Sequence, residues 1–295
     1  MSYNCSKTPK NSRRLGKYFN MKTTQLTAEI LRKKSFLCVG LDVDMEKVPA
    51  SFRNSPTALV DFSKAIIDAT VDFAVAYKPN IAFFETYGVE GMAALKEVID
   101  YLNHKHPEVF TIADAKRGDI GNTSTRYAKA YFETLGFDSI TVAPYMGKDS
   151  VEPFLAFEEN HTILLALTSN PGSNDFQRIE VDAKPLYQSV IETSLTWEGS
   201  ERLMYVVGAT RADALTDIRK VIPDAFLLVP GVGAQGGSLA EVAKYGLNKE
   251  VGLLVNSSRG IIYASQEEDF AEAARNAAEK MQAEMALLMA KNNLI

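Results

Sequence analysis

The segment "VFTIADAKRGDIGNTS" (109–124) places Asp114, Lys116, Arg117 and Asp119 within six positions at the end of an apolar run. Carboxylates and ammonium groups are the residue types of proton transfer and of charge stabilisation. A structural ion-pair network is the competing reading of any one of them. Which reading holds depends on where the surrounding elements put these side chains.

Eight short apolar runs recur along the chain: "FLCVG" (36–40), "FAVAY" (73–77), "VFTIA" (109–113), "SITVA" (139–143), "TILLAL" (162–167), "LMYVVG" (203–208), "FLLVP" (226–230) and "GLLVN" (252–256). Between most of them lie amphipathic stretches such as "PTALVDFSKAIIDAT" and "VEGMAALKEVIDYLNHK", with apolar positions at three- and four-residue steps. That spacing predicts helices. Runs apolar on both faces belong to a parallel sheet covered by helices, and eight such units in about 250 residues predict a single-domain α/β fold, a (β/α)8 barrel. A doubly wound open sheet is the alternative. Residues 1–20 show neither period and read as a disordered extension ahead of Met21, with Met21 as an alternative start. Residues 21–295 then form the barrel domain, ending in a long helix over 268–293.

A barrel of this kind carries its chemistry where strands end. The first run is followed by Asp42, the second by Lys78, and the third by Asp114 and Lys116. The fifth, seventh and eighth lead into "TSNPG", "PGVGAQGG" and "NSSRG". Side chains two apart on a strand share a face, so Asp114 and Lys116 are expected on one side, with Ala115 facing the helices. Lys78, Asp114, Lys116 and Asp119 together at one rim favour chemistry over a solvated loop.

With 46% hydrophobic and 23% charged residues, a formal charge of -5 and a pI near 5.4, the chain has no electrostatic footprint for nucleic acid or an anionic membrane. Its two cysteines, Cys5 and Cys38, are too few for a disulfide framework and have no zinc-site spacing. Neither a membrane-spanning run nor a signal-peptide core is found. The expected location is the cytoplasm.

"YKPNIAFFE", "ADAKRGDIGNT", "TSNPG", "VPGVGAQGG" and "NSSRG", in that order, resemble the orotidine 5'-phosphate decarboxylase family, in its bacterial type 2 branch, from about Leu37 to Ala264. The resemblance implies conversion of orotidine 5'-phosphate to UMP and CO2 without metal or organic cofactor. It implies catalytic roles for Lys78, Asp114, Lys116 and Asp119, with Lys116 as proton donor. It further implies a homodimer with shared active sites, in which Asp119, Ile120 and Thr123 reach the partner subunit's site. Asp42 corresponds to a ribose contact, Ser169 to a pyrimidine contact, Pro230 and Gln235 to a mobile loop over the phosphate, and Arg259 to the phosphate-binding arginine. The pattern departs at Ser258, which stands where the family has glycine; its amide remains a candidate phosphate contact.

Rival readings are weaker. "GVGAQG" (231–236) satisfies G-x-G-x-x-G, but it follows the seventh run, and the next strand ends in Asn256 where a dinucleotide site needs an acid. "HKH" (104–106) follows a helix and lacks a third metal ligand. His161 and Trp197 read as structural. A metal-assisted sugar-phosphate enzyme would need another carboxylate near Asp114. A catalytically silent binding protein would be expected to have lost one of the four charges.

Overall fold

The computed structural model describes residues 21–295 apart from 54, 234 and 235. The expected extension, 1–20, lies outside the described residues. Eight parallel strands form a closed barrel: β1 (Leu37–Leu41), β2 (Ala74–Pro79), β3 (Phe110–Arg117), β4 (Ser139–Val142), β5 (His161–Leu167), β6 (Leu203–Val207), β7 (Leu227–Pro230) and β8 (Leu253–Ser257). Each strand pairs with its neighbours in the chain, and β1 closes the ring on β8. The (β/α)8 expectation holds and the open sheet does not.

Alternation along β2 shows how the strands sort their side chains. Tyr77 points outward, where its hydroxyl meets Thr70 Oγ1 at 2.7 Å and Ile67 O at 3.1 Å on the helix Ala58–Thr70. Lys78 therefore faces the other way. Tyr205 of β6 repeats the outward contact, its hydroxyl lying 2.9 Å from that of Ser194 on the helix Leu186–Ser194.

At the opposite end of the strands the barrel is plugged. Met21, buried, donates its amide to Asp138 Oδ1 at 2.9 Å. Asp138 Oδ2 accepts from the amide and the hydroxyl of Thr111, both at 2.8 Å. His161 is 6% exposed beside the Phe110 ring, and burial holds its imidazole below the usual range, in keeping with a structural role. Lys33, in the last turn of the helix Thr23–Lys33, donates to Val71 O and Ala74 O at 2.8 Å each. Lys33 thus staples the end of its helix to the entry of β2.

The expected C-terminal helix spans Phe270–Lys291, with Met285 and Met289 fully buried. Two features were not legible in the sequence. The helix Asn122–Ala128 continues as a π-helical turn, Lys129–Leu135. A short antiparallel hairpin, Glu180–Val181 with Lys184–Pro185, stands between β5 and its helix.

Candidate active site

Asp114 is held by two different registers. On its β2 side the pairing is regular, from Ala76 opposite Phe110 to Asn80 opposite Asp114. On its β4 side Ala113 pairs with Ile140 but Arg117 pairs with Val142, so β3 carries two surplus residues there. The surplus is accommodated by a bulge, in which Lys116 takes a left-handed backbone with φ 48°. A non-glycine residue in that region costs roughly 1–3 kcal/mol and is kept only where its surroundings impose it.

The result is a three-membered charge array. Lys78 Nζ donates to Asp114 Oδ2 at 2.8 Å, and Lys116 Nζ donates to Asp114 Oδ1 at 2.5 Å. Asp114 and Lys116 meet as expected, although Lys116 does so from a kinked backbone rather than by plain strand alternation. Ala115 is buried. Burial opposes ionisation of Asp114, but the two ammonium groups prevail and hold its carboxyl well below the usual range. Burial likewise opposes the charge on Lys78, and Asp114 and Asp42 outweigh it, so Lys78 is raised.

Lys78 and Asp114 line a cavity of about 390 Å³ at the C-terminal ends of the strands, and Lys116 reaches it through its bond to Asp114. Six expected residues face it: Asp42, Lys78, Asp114, Pro230, Ser258 and Arg259. The carboxylate of Asp42 has Oδ1 buried without a hydrogen-bond partner among the described residues. Arg259 is exposed and, among the described residues, in no ion pair. The loop after β7 reaches the cavity through Gly231, whose φ of 99° suits glycine, and folds back on itself by Gly237 N to Gly231 O at 3.2 Å. Gln235 lies outside the described residues.

Ser258 fits here because of Gly40. Its hydroxyl donates to Gly40 O at 3.2 Å, and a Cβ on Gly40 would come within 2.8 Å of Ser258 Cβ. The side chain that departs from the family pattern is accommodated by a bare backbone on β1.

Lys116, Asp119, Ile120, Thr123 and Ser169 are not among the residues lining the cavity of the single chain. Ser124 draws the turn after β3 toward the next unit: its hydroxyl accepts from Asp119 N at 2.9 Å and bonds Ser150 O at 2.9 Å. Ile120 is left 59% exposed, and the Asp119 carboxylate accepts the Ile120 amide at 2.7 Å. Ser169 packs on Gly208, where a Cβ would meet its hydroxyl at 2.2 Å.

Sequence reading missed several lining residues. Asn80 and Asn256 end strands in quoted motifs, so strand-end position was the available signal. Lys47 lines the cavity and pairs with Asp44 Oδ2 at 2.6 Å. Tyr263 gave no signal: its hydroxyl accepts Asp44 N at 2.6 Å and donates to Asp42 O at 2.9 Å, fastening the loop that carries Asp42. Tyr87 OH holds the same loop through Met45 N at 3.1 Å. Among the described residues no three His, Cys, Asp or Glu side chains cluster as a metal site requires.

Fold and site together define a (β/α)8 barrel enzyme class, with a carboxylate–ammonium pair, Lys78 and Asp114, and the guanidinium of Arg259 on one cavity at the strand ends. Residues 35–276 match the model of the orotidine 5'-phosphate decarboxylase / HUMPS family, and the chain belongs to that family. A Flavobacterium johnsoniae protein named orotidine 5'-phosphate decarboxylase is 64% identical over 266 residues, 90% of this chain and 97% of that one. A Bacteroides fragilis protein of the same name is 55% identical over 267 residues, again 90% and 97% of the two chains. The solved structure of Leishmania donovani OMP decarboxylase is similar with a TM-score of 0.76 and 38% identity, covering 90% of this chain and all of that one.

Proposed function

We propose that this chain decarboxylates orotidine 5'-phosphate to UMP and CO2 in pyrimidine biosynthesis, with Lys116 as proton donor. One observation carries the reading: a single largely buried carboxylate, Asp114, is shared by Lys78 and Lys116, and Lys78 and Asp114 line a cavity together with Arg259, which is in no ion pair among the described residues. The relatives named above carry the same activity in their names.

The reaction balances within this array. The bond between pyrimidine C6 and the carboxylate carbon breaks, CO2 departs, and the electron pair remains on C6. Lys116 Nζ stabilises that pair as it forms and transfers a proton to C6, giving UMP; the neutral amine then regains a proton from water. Asp114, fixed as an anion, faces the substrate carboxylate, and their repulsion is relieved as CO2 leaves. Lys78 keeps Asp114 in place. Asp42, whose Oδ1 is buried without a hydrogen-bond partner among the described residues, suits a ribose hydroxyl. Arg259 offers the phosphate a planar fork of donors, with the Ser258 amide and the loop carrying Pro230 and Gln235 beside it. Ser169 serves the pyrimidine.

Asp119, Ile120 and Thr123 complete the site of a second subunit in a homodimer. Support comes from the exposed Ile120 and from Lys116, whose side chain is 51% exposed on one chain. Cytoplasmic placement rests on the low cysteine use; no described helix is long and apolar enough to cross a membrane.

The direct test follows loss of orotidine 5'-phosphate absorbance with purified protein in excess chelator. Turnover is expected, and its absence contradicts the cofactor-free reading. Mixing inactive Asp119→Ala and Lys116→Ala dimers tests the shared sites: a statistical mixture is about half heterodimer with one intact site of two, so about a quarter of wild-type activity returns. No recovery, with exchange confirmed by mass spectrometry, returns Asp119 to its own subunit.

A further inference from the structure

Thr141 of β4 is 1% exposed and sits opposite the bulge in β3. It is the one β4 residue between the two anchored pairs, Ala113 with Ile140 and Arg117 with Val142. At this point the bulge takes the amides of Ala115 and Lys116 out of the regular ladder, and a buried amide without an acceptor is costly. Thr141 supplies the acceptor for both. Its Oγ1 accepts from Ala115 N at 3.0 Å and from Lys116 N at 2.9 Å.

A hydroxyl has two acceptor lone pairs and one proton to give. With two amides on the lone pairs, the proton has two acceptors in reach, Asp114 Oδ1 at 3.2 Å and Ala113 O at 3.4 Å. The shorter contact is to the oxygen that receives Lys116 Nζ. One side chain thus touches the backbone of the strained Lys116, the backbone of Ala115 and the carboxylate of Asp114. A valine would fill the same volume and make none of these contacts.

We infer that Thr141 is a positioning residue for the decarboxylation, its hydroxyl fixing the bulge that aims Asp114 and Lys116 at the substrate. This rests on the assignment of those two residues to the chemistry. Thr141 touches no substrate, so its effect falls on the chemical step, and the remote contacts of Asp42 and Arg259 keep substrate binding nearly unchanged.

The experiment compares Thr141→Val and Thr141→Ser with wild type, with folding checked by circular dichroism, and runs Lys116→Ala beside them. Misplacing reacting groups by about 1 Å costs on the order of 100-fold, so kcat for Thr141→Val falls by about that factor while KM moves by less than about threefold. Thr141→Ser, which keeps the hydroxyl, stays within about threefold of wild type in kcat, a fraction of that misplacement cost. Wild-type kcat in Thr141→Val overturns the proposal, as does a serine variant as impaired as the valine one, which would make the methyl the working part. If Thr141→Val does not fold, Thr141→Cys replaces it, since sulfur is a weak acceptor. Activity surviving in Lys116→Ala overturns the catalytic assignment itself; an inactive Lys116→Ala with a fully active Thr141→Val overturns only the positioning role.

Discussion

Lys78 Nζ and Asp114 Oδ2 lie 2.8 Å apart with their side chains 5% and 11% exposed, so both charges are largely withdrawn from water. Such a pair is costly to break and cheaper to replace whole. Asp114→Asn leaves the Lys78 ammonium buried with Asp42 as its remaining acidic neighbour and lowers unfolding free energy by about 3–5 kcal/mol. Lys78→Met combined with Asp114→Asn recovers much of that loss in denaturant titrations while remaining inactive. A single variant as stable as wild type would show that the pair is solvated. The sign with pH follows from the depressed Asp114 carboxyl: its contribution is present above the ordinary carboxylate pKa of about 4 and is lost as pH falls below it.

Arg259 shares the cavity lining with Lys78 and Asp114, and its proposed partner is the substrate phosphate. Charge-assisted hydrogen bonds are worth about 1.5–3 kcal/mol, so Arg259→Ala lowers kcat/KM for orotidine 5'-phosphate by roughly 10- to 100-fold. Phosphate contacts also hold the ring against the array, so part of the loss appears in kcat. Orotidine, which lacks the phosphate, is turned over equally poorly by variant and wild type. A variant that handles the nucleoside worse than wild type does would remove the phosphate role from Arg259.

Asp138, at the plugged end, gives a pH effect of opposite sign. Burial pushes its carboxyl up to about 6 against the hydrogen bonds from Met21 and Thr111. A raised acid holds its proton more tightly in the folded state, so stability falls as pH rises from about 4 to about 6 and then levels. Between pH 5 and pH 7.5 this group costs wild type about 1 kcal/mol, and Asp138→Asn removes that slope. Chemical denaturation of both proteins at the two pH values measures it. A wild type that gains stability relative to the variant over this interval would show that the donors outweigh burial.

The strands were readable because each is apolar on both faces, and the observed boundaries of β1 and β7 fall one residue from the quoted runs. Lys78 and Asp114 were readable because position at a strand end is a property of the sequence. The bulge was not, since two surplus residues show only against the register of β4. For the same reason Thr141 looked like any β-branched strand residue, and Tyr263, far along the chain from Asp42, gave no local sign of holding its loop. The proposed roles of Asp119, Ile120 and Thr123 need a second subunit, which one sequence does not display.

The account stands or falls on Lys116 as the group that protonates C6. The measurement is single-turnover conversion of orotidine 5'-phosphate by Lys116→Ala, followed by absorbance, alongside UMP binding to the same variant by calorimetry. General-acid catalysis is worth at least about 100-fold, so the account predicts a rate reduced by that factor or more in a folded protein that still binds UMP. A variant that binds UMP and keeps more than about a tenth of the wild-type rate, short of even that modest factor, would contradict it.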